Sequence, residues 1–126
     1  MRGAGTQRRQ RRLAWRFGRI GEALCAWRLR LLGWRIIARD VRTRAGEIDL
    51  VAVRGRTLAF VEVKARSDAA ATEPLLAQQR RRIVRAAESF LAARPDLAQH
   101  DIRFDVMLVG KGRLPRHLPA AFRADD

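Results

Sequence analysis

The sequence predicts an α/β domain, a small mixed sheet flanked by helices with elements in the order αβββαβ. Three observations predict it. Apolar residues return at helical spacing over 13–32, three short runs rich in β-branched residues follow between glycines, and a second helical run precedes one more apolar strand. Such an alternation selects a layered arrangement, and the helices are expected to cover one face of the sheet.

The first 12 residues are mostly Arg, Gln and Gly and read as a disordered basic arm. Leu13, Phe17, Ile20, Leu24, Trp27 and Leu31 then recur at spacings of three and four. Gly18 and Gly21 weaken that helix by up to ~1 kcal/mol each but permit close approach of another backbone, and Gly33 is a suitable C-cap. WRIIARDV (34–41), EIDLVAV (47–53) and TLAFVEVKA (57–65) are the three strands, the first pair joined by TRAG and the second by Arg54-Gly55. Residues 66–74 read as loop. A helix is expected from about Leu75 to Ala93, with Leu76, Ile83, Val84, Ala87, Phe90 and Leu91 as its buried stripe and Pro95 just past its end. IRFDVMLV (102–109) is the last strand. From Gly110 an irregular tail is expected, anchored by Leu118 and Phe122. The arm (1–12), a single domain (13–122) and a short tail (123–126) complete the organisation.

The chain has 126 residues and a net charge of +14. One core fits that length. So large an excess is costly in self-repulsion unless a polyanion offsets it, and nucleic acid is the commonest such partner. No apolar run approaches the ~18 residues that span a bilayer, and the basic N-terminus lacks the apolar core of a signal peptide. Cys25 is the single cysteine, which excludes an intrachain disulfide and agrees with a cytoplasmic location. With no Cys/His cluster, structural zinc is excluded. Of 27 basic residues only Lys64 and Lys111 are not Arg.

The chemistry concentrates in residues 46–66. Strand alternation puts Ile48, Leu50 and Ala52 on one face of their strand and Glu47, Asp49 and Val51 on the other. In the next strand Phe60, Glu62 and Lys64 share a face, the last two roughly 7 Å apart. A tight turn brings Asp49 beside them. Carboxylates inside apolar strands are costly if unpaired. Either neighbouring Arg residues pair with them as sheet salt bridges, or a hard divalent cation does, since Mg²⁺ takes one or two carboxylates with water and phosphate oxygens. A lysine there is either a solvated cation or an amine acting on water or phosphate, which Arg, always protonated, could not do as a base.

These residues carry a resemblance. Asp49 followed by Glu62-Val63-Lys64 resembles the two motifs of the PD-(D/E)xK nucleases. With G-E-A at 21–23, G-W-R-I-I-A-R at 33–39, Q-R-R at 79–81 and R-F-D-V at 103–106, the chain resembles the YraN-type family of bacterial endonuclease-like proteins over about residues 18–122. The resemblance implies a restriction-endonuclease-like fold similar to archaeal Holliday-junction resolvases, with Glu22 at the position of a helical acid of the site. Glu22 fits equally an exposed acid balancing Arg19 or Arg28. Gln79 matches a polar position near the site and fits equally a solvent-facing Gln; the family's Lys just before it is Gln78 here, which puts that basic role in doubt. A homodimer is implied by the same likeness alone.

The expected function is nucleic-acid binding with metal-dependent hydrolysis of DNA phosphodiester bonds. Asp49, Glu62, Lys64 and Glu22 are the catalytic candidates, with Mg²⁺ or Mn²⁺ on Asp49 and Glu62. Arg8, Arg9, Arg11 and Arg12 of the arm and Arg80, Arg81, Arg82 and Arg85 of the second helix would hold phosphate. DNA is preferred to RNA, and no membrane partner is expected. The rival is a binding module of the same fold without catalysis. A third class is a membrane-surface protein using the Arg-rich N-terminal helix. Asp105 is read as structural, paired with Arg103 or a helix Arg, and Cys25 as a small core residue. The three tryptophans offer stacking surfaces for bases, but core is preferred for Trp27 and Trp34.

Overall fold

The computed structural model describes residues 18–65, 77–110 and 112–125. Helix α1 runs through residues 18–31. Strands β1 (Arg35–Arg42), β2 (Glu47–Arg54) and β3 (Thr57–Ala65) follow, then helix α2 (Ala77–Ala92), a 3₁₀ turn (Pro95–Leu97), β4 (Asp101–Val109) and β5 (Arg116–Phe122). The sheet order is β1-β2-β3-β4-β5. Strands β3 and β4 are parallel, with α2 in the crossover between them, and the other pairs are antiparallel. This five-stranded mixed sheet with two helices is the α/β, restriction-endonuclease-like arrangement expected.

Three expectations about the layers are corrected. The C-terminal stretch is not an irregular tail. It adds β5 to the free edge of β4, giving the order αβββαββ, and Phe122 and Leu118 do anchor it, one buried and one partly so. Pro115 and Pro119 read as loop residues, but an edge strand tolerates proline because one side of its backbone needs no partner. Nor do both helices share one face. Ile83, Ala86 and Ala87 of α2 pack with Val51, Val53, Leu58, Phe60 and Phe104. Cys25, Ala26 and Leu29 of α1 pack with Leu50, Ala52, Ala59, Val61 and Met107 on the opposite face. Each face thus carries one helix. Within α2 the expected Val84, Phe90 and Leu91 are partly buried, and Leu75 and Leu76 lie outside the described residues.

The third correction concerns α1. Its buried side is Gly21, Cys25, Ala26 and Leu29, so Trp27 is exposed, whereas Trp34 is core as expected. Small residues let the helix lie close to the sheet: a Cβ on Gly21 would stand 3.0 Å from Val109 Cγ2. Gly33 ends the helix at φ 92°, with Trp34 N–H bonded to Leu29 O at 2.9 Å. Leu13, Trp15 and Phe17 lie outside the described residues.

Candidate active site

Strands β2 and β3 pair from Arg54↔Thr57 to Leu50↔Val61. There the pattern of β2 slips: Ile48 packs with Val51 and Val53 on the α2 face, while Leu50 and Ala52 face α1. The expected grouping of Ile48 with Leu50 and Ala52 is therefore corrected. Asp49 sits at the slip. Its carboxylate replaces a backbone acceptor, taking the Val63 N–H at 2.8 Å on Oδ2. Asp49 is thereby fixed against the strand that carries Glu62 and Lys64.

The two acids meet. The Asp49 charge acts directly on the Glu62 carboxyl. Burial pushes the Glu62 carboxyl up from 4.5 to about 8, with that charge adding to the effect. Burial also raises Asp49, against the pull of the Val63 N–H. Lys64 opposes the rise at Glu62 but does not overcome it. The salt bridges among the described residues include neither acid, so the reading of Asp49 and Glu62 as Arg-paired sheet carboxylates is not what the fold builds.

Lys64 is half-buried, and its Nζ donates to Gln79 Oε1 at 3.4 Å, across to α2. From α1 comes Glu22, raised first by burial and then by the charges of Asp49 and Asp40. Arg19 pairs with Asp40 at 3.5 Å. Arg19, Glu22, Arg39 and Asp40 line a polar cleft of about 410 Å³. Asp40 is the acid that sequence reasoning missed. Its signals were a carboxylate within a strand and a residue type that adopts the left-handed backbone, here φ 51°, more readily than most, and neither is specific to a site.

The basic candidates of α2 lie beside this site. Arg81, Arg82 and Arg85 are exposed and Arg80 half-buried. Gly46, three residues before Asp49, packs on α2 so closely that a Cβ there would stand 3.4 Å from Arg82 O. Arg8, Arg9, Arg11 and Arg12 lie outside the described residues. Among the described residues no three His, Cys, Asp or Glu side chains converge as a complete protein cage for a metal. What the site does offer is carboxylate oxygens, with burial raising both Asp49 and Glu62. That donor set fits a hard divalent cation completed by water and phosphate.

Two other chemically active groups are accounted for. Cys25 is fully buried and its thiol is pushed up to about 12, chiefly by burial, so it is a core residue and not a nucleophile. Asp105 is buried and takes Arg103 Nε and Nη2 at 2.8 Å each, His117 Nε2 at 2.7 Å and the Ala120 N–H at 2.9 Å. The expected Arg103 partner is present, and His117 and Ala120 of β5 were not foreseen.

The model of the uncharacterised protein family UPF0102 matches residues 21–109. The chain belongs to this family. It is the YraN family that the sequence resembles. Among its relatives, a UPF0102 protein of Parvibaculum lavamentivorans is 52% identical over 87% of this chain and 84% of its own length. One of Rhizorhabdus wittichii is 51% identical over 86% and 92%. One of Paramagnetospirillum magneticum is 49% identical over 93% and 95%. These names state the family and no activity. The matched span begins at Gly21, just before Glu22, and contains Asp49, Glu62, Lys64 and Gln79.

Proposed function

We propose that this UPF0102 protein is a metal-dependent endonuclease that hydrolyses phosphodiester bonds in DNA. The observation that carries the reading is that Asp49, fixed on the Val63 N–H at 2.8 Å, acts on Glu62 where the ladder between β2 and β3 ends, with neither acid in a salt bridge among the described residues. Asp49 and Glu62 would hold one Mg²⁺ or Mn²⁺, which when bound supplies Lewis acidity and a more acidic water. Asp49 keeps its place through the Val63 N–H. Lys64 would give a hydrogen bond to the attacked phosphate or to the water beside it, and Gln79 would hold the amine in reach. Glu22 would orient that water from the α1 side. Arg80, Arg81, Arg82 and Arg85, with Arg8, Arg9, Arg11 and Arg12 of the basic arm, would neutralise the strand's phosphates. The buried thiol Cys25 suits a reducing cytoplasm.

The rival is a DNA-binding module without hydrolysis. One observation favours it, the absence among the described residues of a third ligand in the cluster. Incubation of the protein with duplex, branched and single-stranded DNA in Mg²⁺ or Mn²⁺ separates the two. The expected result is cleavage that Asp49→Asn and Glu62→Gln abolish. DNA binding that weakens steeply with salt, with no cut in any substrate, would leave the binding module.

A further inference from the structure

The outer surface of α1 is apolar. Ile20, Leu24, Trp27 and Leu31 follow one another at spacings of four, three and four, and each is between 45% and 61% exposed. Leu32 extends the patch at the helix end. The face opposite this stripe already packs on the sheet, so the stripe has no role in the core. Four large side chains in line on one helix exceed the scattered apolar residues of an ordinary surface. In the sequence the same spacing continues back through Phe17 and Leu13, outside the described residues.

The charges beside the stripe select its partner. Arg28 and Arg30 flank it, and Arg19 stands at its start. The one acid in α1 among the described residues is Glu22, which lies toward Asp49 and Asp40. The stretch preceding the described residues adds six Arg and no acid. A second copy of the chain would set Arg against Arg along both borders of the seam, in a protein already at +14. Nucleic acid would meet the arginines but would gain nothing from Leu24 or Leu31. A helix with Trp and Leu on one face and Arg at the borders instead matches the boundary between acyl chains and anionic headgroups.

We propose that the outer face of α1 docks on an anionic lipid bilayer, lying in the plane of the surface with Ile20, Leu24, Trp27 and Leu31 seated among the upper acyl chains. Among the described residues no helix is long and apolar enough to cross a membrane, and docking of this kind requires none. The lipid face and the basic face of α2 lie on opposite sides of the sheet, so lipid docking leaves uncovered the face that the proposed function gives to DNA. This inference is independent of whether the protein cleaves DNA.

The test is co-sedimentation of the full chain with sucrose-loaded vesicles, of phosphatidylcholine alone and of phosphatidylcholine with an equal amount of phosphatidylglycerol. Wild type is expected to sediment with the anionic vesicles and at least about tenfold less with the neutral ones. The doubly substituted Leu24→Glu/Trp27→Glu chain is expected to lose at least about tenfold in partitioning, with DNA affinity and circular dichroism unchanged because both side chains are exposed. Trp27→Ser alone, a milder change, is expected to move in the same direction. Unaltered binding of both variants would reduce the attraction to net charge and overturn the proposal. So would failure of wild type to bind vesicles while it sediments as a pair of chains that Leu24→Glu/Trp27→Glu separates, since the stripe would then belong to a second copy.

Discussion

Two carboxylate centres lie in one sheet, one buried and one half-buried, and are built in opposite ways. Asp105 on β4 is saturated: two guanidinium N–H groups, an imidazole and a backbone N–H converge on its oxygens within 2.9 Å. These partners hold its carboxyl below the usual range, though burial pushes the other way. Asp49 and Glu62 on β2 and β3 have each other and one backbone N–H, and burial pushes both up. The first arrangement spends its charges on joining β5 to β4. The second leaves acceptor capacity open in a chain with an Arg excess that could have closed it. The proposed function rests on the unsaturated centre, and the saturated one serves architecture.

The largest effect should come from breaking the saturated centre. Asp105→Asn leaves the half-buried Arg103 against an amide that cannot neutralise it, and we expect a loss of about 2–4 kcal/mol in urea denaturation. Asp49→Asn, measured without metal at pH 8, should cost nothing or stabilise, because it removes one of two mutually repelling acids. Equal losses in the two variants would erase the distinction between the centres.

The centres should also respond to pH with opposite signs. Between pH 4.5 and about 8 the unfolded chain has released the Glu62 proton while the folded chain retains it. Stability at this centre therefore falls as pH rises through that window, by about 2–4 kcal/mol for an isolated shift of this size. Asp105 releases its proton more readily when folded, so its contribution is present above the ordinary 3.8 and is lost as pH falls through its lowered value. Glu62→Gln should flatten the upper window and leave the acid limb unchanged. A wild-type slope surviving in Glu62→Gln would place the retained proton elsewhere.

Much of this contrast was legible in the sequence, and the unread part has physical causes. Alternation along β3 assigned Glu62 and Lys64 to one face, because β3 stays in register with β4 through Ala65 and keeps its period. Ile48 escaped because β2 slips where its ladder with β3 ends, and a local slip leaves the residue types unchanged. The outward stripe of α1 was invisible to periodicity. Both faces of that helix repeat at helical spacing, and size alone would have chosen Leu24 and Trp27 for the core, whereas closeness to the sheet chose Gly21, Cys25 and Ala26. His117 and Ala120 reach Asp105 only because β5 is a strand, which its prolines concealed.

If the unsaturated centre is the chemical one, Lys64 should be intolerant of a change that preserves charge. Lys64→Arg keeps a cation but brings a wider planar group that cannot take a proton. On a DNA substrate that wild type cuts, we expect about a hundredfold loss of cleavage, equivalent to about 2.7 kcal/mol, with DNA affinity retained. Full activity in Lys64→Arg would reduce Lys64 to one more phosphate anchor.

The smallest effect belongs to Gln79, and it probes how firmly the unsaturated centre is held. Asp105 is clamped by contacts of 2.7–2.9 Å, while Lys64 meets Gln79 at 3.4 Å, near the limit of a hydrogen bond. A long, half-buried bond of this kind contributes about 1 kcal/mol at most. Gln79→Ala should therefore lower cleavage about threefold to fivefold without moving stability by more than about 0.5 kcal/mol. Because the loss arises from a lysine left free to wander, Gln79→Ala should add nothing once Lys64 is already Ala, and the double variant should cut no more slowly than Lys64→Ala alone. Independent, additive losses in that cycle would separate Gln79 from Lys64 and assign the glutamine a contact of its own with the DNA strand.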